Sequence, residues 1–175
     1  MAVNLIERII KGDQAAMQQL YQQHERYWFQ ICLRYGRSRS EAQDILQDGL
    51  IRVFKDLYQF DPKRGQFSTW SNRLMVNAAL NYLKKYQWQY SFEDLDAVMN
   101  EPDFSETALQ RISAKEIVQV IQQLPTGYRV VFNMYEMEGY SHREIAEALN
   151  ISVGTSKSQL SKAKKMLRQK IEVLL

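Results

Sequence analysis

Residues 141–160 read SHREIAEALNISVGTSKSQL, a pattern that predicts two short helices joined by a tight turn. Ser141 is a good helix cap, and Glu144 three residues later completes the Ser-x-x-Glu pattern of a capping box. Asn150 stands where the chain needs a residue that tolerates a left-handed turn, and Ser152 is suited to cap the next helix. We therefore expect a helix-turn-helix whose second helix faces outward with polar and basic side chains.

The segment after Ser152 carries six cations and no acidic residue before Glu172. Leu160, Ala163 and Leu167 recur at helical spacing, which predicts that one face of this segment packs inward. The opposite face is then available to phosphates and to base edges in a major groove. On it we place Thr155, Lys157, Ser158, Gln159 and Lys162.

The composition is that of a globular protein. The chain has 175 residues, of which 45% are hydrophobic and 25% charged, enough for one ordinary domain or two small ones. No apolar run approaches the roughly 18 residues needed to cross a bilayer, and the first residues lack the pattern of a secretory signal. The single cysteine, Cys32, fits a reducing compartment. We expect a cytoplasmic protein without membrane insertion.

The sequence offers little to support catalysis. Besides Cys32, the chain has only His24 and His142 among the cysteine and histidine ligands that zinc sites use, so no zinc constellation is evident. A Gly-rich phosphate loop and a nucleophile–base pair at suitable spacing are also missing. We therefore expect no metal, no cofactor and no enzyme activity.

Helical periodicity covers nearly the whole chain, with no convincing strand pattern. Every charge from Lys63 to Tyr90 is positive, and every charge from Glu93 to Glu106 is negative. Residues 88–104 also lose the helical period and contain Pro102. We predict an all-α fold of two small helical domains, residues 1–87 and 105–175, joined by an acidic linker, with the helix-turn-helix in the second domain.

Three long helices are predicted in the first domain. Asp13 is a suitable cap for the first of them. Ser40 and Gln43 have the spacing of a capping box at the start of the second. The third is expected to begin at Ser68 or Thr69.

The third predicted helix carries aromatic, amide and cationic side chains on one face, because they recur every three or four residues. These residues are Trp70, Arg73, Asn77, Asn81 and Lys84. Aromatic rings support unstacked bases, amides read base edges and cations hold phosphates, a combination suited to locally opened DNA. Arg64 and Phe67 in the preceding loop would complete a pocket for an extruded base. Taken alone, Trp70 fits a core position better than a base platform.

The sequence closely resembles the bacterial sigma-70 family, in particular the compact extracytoplasmic-function sigma factors. The resemblance is carried by residues 41–48, 67–70 and 77–83, and by Leu124-Pro125 with residues 151–158. It covers all but the linker and the extreme ends. It implies a subunit that binds core RNA polymerase, directs it to selected promoters and captures melted −10 bases, without covalent chemistry of its own.

The resemblance also implies roles for particular residues. Asp44, Gln47 and Asp48 fall where similar proteins dock on the β′ clamp helices, and carboxylates there can pair with arginines. The loop and third helix match the −10 element reader, which adds Lys85 to the residues placed there above. The helix-turn-helix matches the −35 reader, which in relatives also contacts the β-flap. It adds Arg143, Ser152 and Ser156 to the −35 set.

The acidic linker resembles a segment threaded through the RNA channel of the polymerase, and an anti-sigma protein is a further partner found in similar families. Three departures from the family pattern affect the expectations. Ser156 replaces the usual aliphatic residue of the recognition helix. Gly49 stands where many relatives have a larger apolar residue, which would loosen its helix by up to about 1 kcal/mol. Gln159 replaces a common arginine and, at a base edge, would favour adenine over guanine.

Two other functions remain open from the residues alone. A free-standing helix-turn-helix regulator would need only the C-terminal domain and a dimer interface. A structural adaptor would bind proteins without opening DNA. The residues at 44, 47 and 48 distinguish the first of these from a polymerase subunit, because only the latter needs them for recruitment.

Overall fold

The computed structural model describes residues 2–86 and 114–174. The chain divides into two compact units, Met1–Tyr86 and Gln87–Leu175. Every regular element within the described ranges is a helix, which confirms the all-α prediction. The predicted linker, residues 88–104, and the predicted start of the second domain at residue 105 lie outside the described residues. None of the described helices combines the length and the apolar character required to span a membrane.

In the first unit, three long helices pack against one another in pairs, and a short helix lies against the first of them. The short helix is α1 (Ala2–Ile10), and the long ones are α2 (Gln14–Tyr35), α3 (Arg39–Asp56) and α4 (Phe67–Tyr86), with a 3-10 turn at Leu57–Gln59 after α3. Their shared core is built from Leu20, Trp28, Ile31, Ile45, Val53, Met75 and Leu83, all of them buried.

The start of α2 is set by the residue that the sequence predicts. The Asp13 carboxylate accepts a hydrogen bond from the Ala16 N–H at 3.0 Å, as an N-cap does. The third long helix begins at Phe67, one residue before the earlier of its two predicted starts.

The start of α3 corrects the sequence prediction. Ser40 lies inside the helix, so the proposed Ser40–Gln43 capping box is wrong. The cap is Ser38, whose hydroxyl accepts from the Glu41 N–H at 3.1 Å, while the Glu41 carboxylate accepts from the Arg37 N–H at 2.9 Å. Ser38 has the extended backbone of a cap, and Ser-x-x-Glu occurs here two residues earlier in the chain.

Gly49 marks a close approach between α3 and α4. A Cβ added at this position would collide with the Met75 sulfur and lie 3.6 Å from the Ala78 Cβ. Gly49 is buried and Met75 is fully buried, so the space left by the missing side chain is filled by the methionine. Tight packing between the two helices thus offsets the weak helix propensity expected of Gly49.

In the second unit, the helices are α5 (Ala114–Gln122), α6 (Thr126–Phe132), α7 (His142–Leu149) and α8 (Val153–Leu174), and a π-helical segment, Asn133–Met137, continues α6. One core cluster joins α5 and α6 to α8. Its buried members are Val120, Ile121, Leu124, Tyr128, Ala163 and Leu167. This confirms that the apolar period of the last helix marks its inward face.

The helices α7 and α8 form the predicted helix-turn-helix. The Ser141 hydroxyl accepts from the Glu144 N–H at 3.2 Å, and the Glu144 carboxylate accepts from the Ser141 N–H at 2.8 Å. Asn150 adopts the left-handed conformation, with φ 55° and ψ 49°. The Ser152 hydroxyl accepts from the Thr155 N–H at 2.9 Å at the start of α8. Local side-chain chemistry therefore sets both helix starts and the turn between them.

Gly49→Ala is expected to lower the free energy of unfolding by about 1 kcal/mol. Overpacking against Met75 costs roughly 1–3 kcal/mol, and the gain in helix propensity returns about 1 kcal/mol. In a Met75→Ala background the collision is gone, so the same substitution is expected to stabilise the protein by about 1 kcal/mol. Urea unfolding followed by circular dichroism measures both effects. Equal effects in the two backgrounds would contradict the close approach of α3 and α4.

Candidate nucleic-acid interface

A cluster of aromatic rings holds the start of α4 against α2. The buried Trp28 indole N–H donates to the Ser71 hydroxyl at 3.2 Å, and that hydroxyl donates to the Ser68 carbonyl at 3.2 Å. The Phe67 ring lies edge-on to Trp28, with centroids 6.5 Å apart, and 5.7 Å from the Trp70 ring. Because a buried indole N–H needs a partner, these contacts fix the rotation of α4 about its axis.

His24 belongs to the same cluster. Its ring stacks on Trp28 with centroids 5.1 Å apart and lies 5.2 Å from the ring of Phe67. Partial burial among these rings lowers the pKa of His24 below its ordinary value, because the charged imidazolium loses hydration. His24 is therefore a structural residue whose protonation opposes folding.

The outward face of α4 carries the predicted polar stripe. The side chains of Arg73, Asn77, Asn81 and Lys84 are exposed, as are Lys85 and the loop residue Arg64. Trp70 is only partly exposed, because its ring packs on Phe60, with centroids 5.6 Å apart. The stripe thus runs from a half-buried aromatic ring, along amides, to cations at the end of the helix.

The structure corrects the position expected for Phe67. Its side chain is only 6% exposed, and its ring contacts His24, Trp28, Phe60 and Trp70. Because α4 begins at Phe67 rather than after it, this residue lies on the helix and faces the core instead of a loop pocket. Its ring supports the Trp70 ring from the inner side of the helix.

The three residues placed at the polymerase contact, Asp44, Gln47 and Asp48, are exposed together on α3. The apolar side chain of Ile51 follows them at helical spacing and is 61% exposed. Sequence reasoning missed Ile51 because it stands in the apolar run Leu50-Ile51, where only the helix rotation decides which residue is buried. This surface, residues 44, 47, 48 and 51, is called the α3 face below.

Negative charge on α3 influences the neighbouring helix. Burial, and then the charges of Glu41, Asp44 and Asp48, raise the pKa of the Tyr82 hydroxyl on α4 above its ordinary value. The first unit therefore presents an acidic surface on α3 beside a cationic stripe on α4.

The recognition helix α8 presents only part of the set assigned to −35 DNA. Lys157 and Ser158 are exposed, and Thr155 and Lys162 are partly exposed. Arg143, on α7, is exposed. The Ser152 hydroxyl is engaged at the helix cap. These positions agree with an outward-facing second helix.

Ser156 and Gln159 do not face outward as predicted. Ser156 is fully buried, and Gln159 is 5% exposed. Both lie on the side of α8 that also carries Ala163 and Leu167, since they precede these core residues by four to eleven positions at helical spacing. The adenine preference inferred from Gln159 is therefore not supported, because a buried amide does not reach a base edge.

The burial of Ser156 has a specific cause. Its hydroxyl lies 2.9 Å from Nδ1 of His142, the first residue of α7. The His142 ring in turn stacks on Tyr135, with centroids 4.4 Å apart. A polar contact thus fixes α8 against the start of α7.

Two residues on the outward side of α8 were missed. Val153 and Ser161 are exposed, and each is four residues from Lys157, so the three share one face. Ala163 and Leu167 could have revealed them, because fixing the inward face of a helix also fixes its outward face. Val153, Gly154, Lys157, Ser158 and Ser161 are called the outer face of α8 below.

Family models match both units of the chain. The family described as Sigma-70 region 2 matches residues 20–89, and Sigma-70, region 4 matches residues 114–167. The first match includes most of α2 and all of α3 and α4. The second includes α5 through most of α8.

Relatives align over nearly the whole chain. The chain is 30% identical over 184 residues to the ECF RNA polymerase sigma-E factor of Escherichia coli (strain K12), covering 98% of this chain and 94% of that protein. It is 30% identical over 190 residues to the ECF RNA polymerase sigma-E factor of Haemophilus influenzae, covering 98% and 95%. The structure of CnrH in complex with the cytosolic domain of CnrY shares the fold, with a TM-score of 0.52 and 22% identity over 97% of this chain and 96% of that one.

Acidification is expected to destabilise the first unit through His24. Its folded pKa lies below the ordinary value of about 6.5, so the unfolded chain binds more protons between the two values, and stability falls as the pH decreases through that window. His24→Phe keeps an aromatic ring and removes the titration. Thermal unfolding between about pH 7.5 and pH 5 is expected to show a shallower pH dependence for this variant. Identical pH dependence in both proteins would contradict the assignment.

Proposed function

Because the chain belongs to the sigma-70 family, in the extracytoplasmic-function group, we propose that α3 docks on core RNA polymerase, α4 captures −10 DNA and α8 reads −35 DNA. The chain is thus a sigma factor that directs transcription initiation at promoters. The observation that carries the residue assignments is the exposure, in one chain, of an acidic face, an amide and cation stripe and a recognition helix.

The α3 face suits a basic protein partner. Asp44 and Asp48 offer carboxylates for arginines, and Ile51 supplies an exposed apolar contact between charged neighbours. An interface with an apolar centre and a polar rim has this composition. We assign it to the β′ clamp helices of the polymerase.

The α4 stripe suits melted DNA more than intact duplex. The half-buried Trp70 ring offers a stacking surface, Asn77 and Asn81 offer amides, and Arg73 offers a cation for phosphate. Arg64, Lys84 and Lys85 extend the positive charge at either end of the stripe. We assign these residues, with Phe67 as internal support, to −10 recognition and strand capture.

The helix-turn-helix suits intact duplex. Lys157, Ser158, Thr155 and Lys162 remain accessible to a major groove, and Arg143 is exposed on α7 for a phosphate. We assign this unit to the −35 element and propose that it also contacts the β-flap. Buried Ser156 and Gln159 are excluded from direct base contact, and Ser156 holds α8 against the start of α7 through its contact with His142.

Two further parts of the proposal concern the linker and an inhibitor. We assign residues 88–104 to the RNA channel of the polymerase, which their acidic sequence favours. An anti-sigma protein is a proposed inhibitor, because CnrH binds the cytosolic domain of CnrY. The site of action is the cytoplasm, where core polymerase is found.

The proposed role requires no covalent chemistry, because sigma factors are non-enzymatic regulators. Burial raises the pKa of the Cys32 thiol to about 12, which keeps it protonated near neutral pH and unsuited to nucleophilic attack. A free-standing regulator is less favoured, because it gives no role to the region 2 match or the α3 face.

Charge reversal on the α3 face is expected to abolish polymerase recruitment. The variant Asp44→Lys with Asp48→Lys reverses both carboxylates at positions that are exposed in the parent protein. We expect at least a tenfold loss of affinity for core enzyme, about 1.4 kcal/mol, with DNA binding by the free protein nearly unchanged. Fluorescence anisotropy with purified core enzyme measures the affinity for polymerase, and an electrophoretic mobility shift assay measures DNA binding by the free protein.

A matched control is Glu7→Lys with Glu25→Lys, which reverses two exposed charges on α1 and α2. It is expected to bind core enzyme like the parent protein. Promoter transcription that survives reversal of the α3 face unchanged would reject polymerase docking at this surface.

Removal of the amides on α4 is expected to impair strand opening after recruitment. Asn77→Ala with Asn81→Ala removes two exposed side chains from a helix and replaces them with the best helix former, so folding should be preserved. Fluorescent adenine analogues in the −10 region report opening by holoenzyme, and we expect a reduction of about tenfold in open complex. Gln30→Ala, an exposed change on α2, is the control. Normal opening by the double variant would remove the basis for the α4 assignment.

A further inference from the structure

One apolar side chain interrupts the polar outer face of α8. Val153 is 41% exposed at the start of the helix, next to Gly154 and four residues before Lys157. The rest of this face consists of hydroxyl and cationic groups, apart from the glycine. Valine is also stiff about its first side-chain torsion, so little conformational entropy is lost when a partner contacts it.

No steric constraint inside the protein requires glycine at position 154. A Cβ added there would meet only the Ser152 hydroxyl, at 3.5 Å, an ordinary contact. Its φ is not in the positive range, so the backbone does not require glycine either. A glycine within a helix costs about 1 kcal/mol relative to alanine. Such a residue is expected where another molecule approaches the backbone closely.

We propose that Val153 contacts the 5-methyl group of a thymine in the major groove and makes the protein select thymine at one position of the upstream element. This inference rests on the proposed reading of −35 DNA by α8. The thymine methyl is the apolar group on base edges in that groove, and apolar side chains recognise it. Gly154 allows the helix backbone to approach closely enough for a short side chain such as valine to reach the base.

The helix geometry places a second contact nearby. Lys157 lies four residues after Val153, about 6 Å along the helix axis, which spans at most roughly two base-pair steps of the duplex. A lysine at a base edge selects guanine through its O6 and N7 atoms. The thymine read by Val153 therefore lies within about two base pairs of a guanine read by Lys157.

Holoenzyme assembled from core polymerase and the full chain is used to select bound duplexes from two random pools. One pool contains thymine, and the other contains deoxyuridine in its place, which removes only the methyl group. The parent protein is expected to enrich thymine at one position in the first pool and to show no preference for uracil there in the second. Val153→Ala is expected to lose the thymine preference and keep the neighbouring guanine.

The selected duplex is then used to measure how much the thymine methyl group contributes to binding affinity. A single thymine to deoxyuridine change at this position is expected to weaken binding by the parent holoenzyme about fourfold, the value for one buried methyl-sized group, and to leave Val153→Ala binding unchanged. Lys157→Ala is expected to lose guanine selection but keep thymine selection. Met137→Ala, which removes an exposed apolar side chain outside α8, should retain both preferences.

The outcomes separate this inference from the proposed function. A thymine preference that persists in Val153→Ala, or an enriched sequence that is the same in both pools, overturns the role of Val153 while leaving upstream DNA reading intact. If neither pool yields an enriched upstream sequence, the assignment of α8 to promoter reading fails, and the inference fails with it.

Discussion

Burial of one face of each helix is the constraint on which both candidate DNA surfaces depend. In the first unit, the hydrogen bond from Trp28 to Ser71 joins the inner sides of α2 and α4, so the opposite side of α4 must carry the exposed amides and cations. In the second unit, Ala163 and Leu167 lie in the core, and α8 is thereby rotated so that Lys157 faces outward. In both cases the interior decides which side chains are left for a partner.

This constraint explains which expectations from the sequence are confirmed. Asp13, the Ser141–Glu144 capping box and left-handed Asn150 all act within a few residues of chain, so the sequence is sufficient to place them. The apolar period of α8 is likewise local. The long helices, the all-α class and the helix-turn-helix could therefore be predicted without coordinates.

The errors arise where contacts between distant segments set the rotation of a helix. Phe67 is drawn into the aromatic cluster by rings on α2, and Ser156 is held inward by His142 from another helix. Ile51 was missed because apolar residues are expected inside until packing shows otherwise, whereas the apolar period of α8 already indicated an outward position for Val153. Gly49 is a further example, because the absence of a side chain there leaves space for Met75 on another helix. Which residue of a plausible helix faces DNA is thus the part of the site that the sequence alone did not determine.

The charge distribution separates a surface suited to protein from surfaces suited to DNA. The acidic α3 face suits a protein with basic groups, and the stripes on α4 and α8 suit phosphates and bases, so we propose that polymerase and DNA are engaged by different surfaces of one chain. Run-off transcription with purified core polymerase on genomic fragments tests this division most directly, because it requires docking, promoter reading and opening together. We expect discrete transcripts that appear only when this protein is added to core enzyme. Transcript patterns identical with and without the protein, at low ionic strength and without any inhibitor, would contradict it.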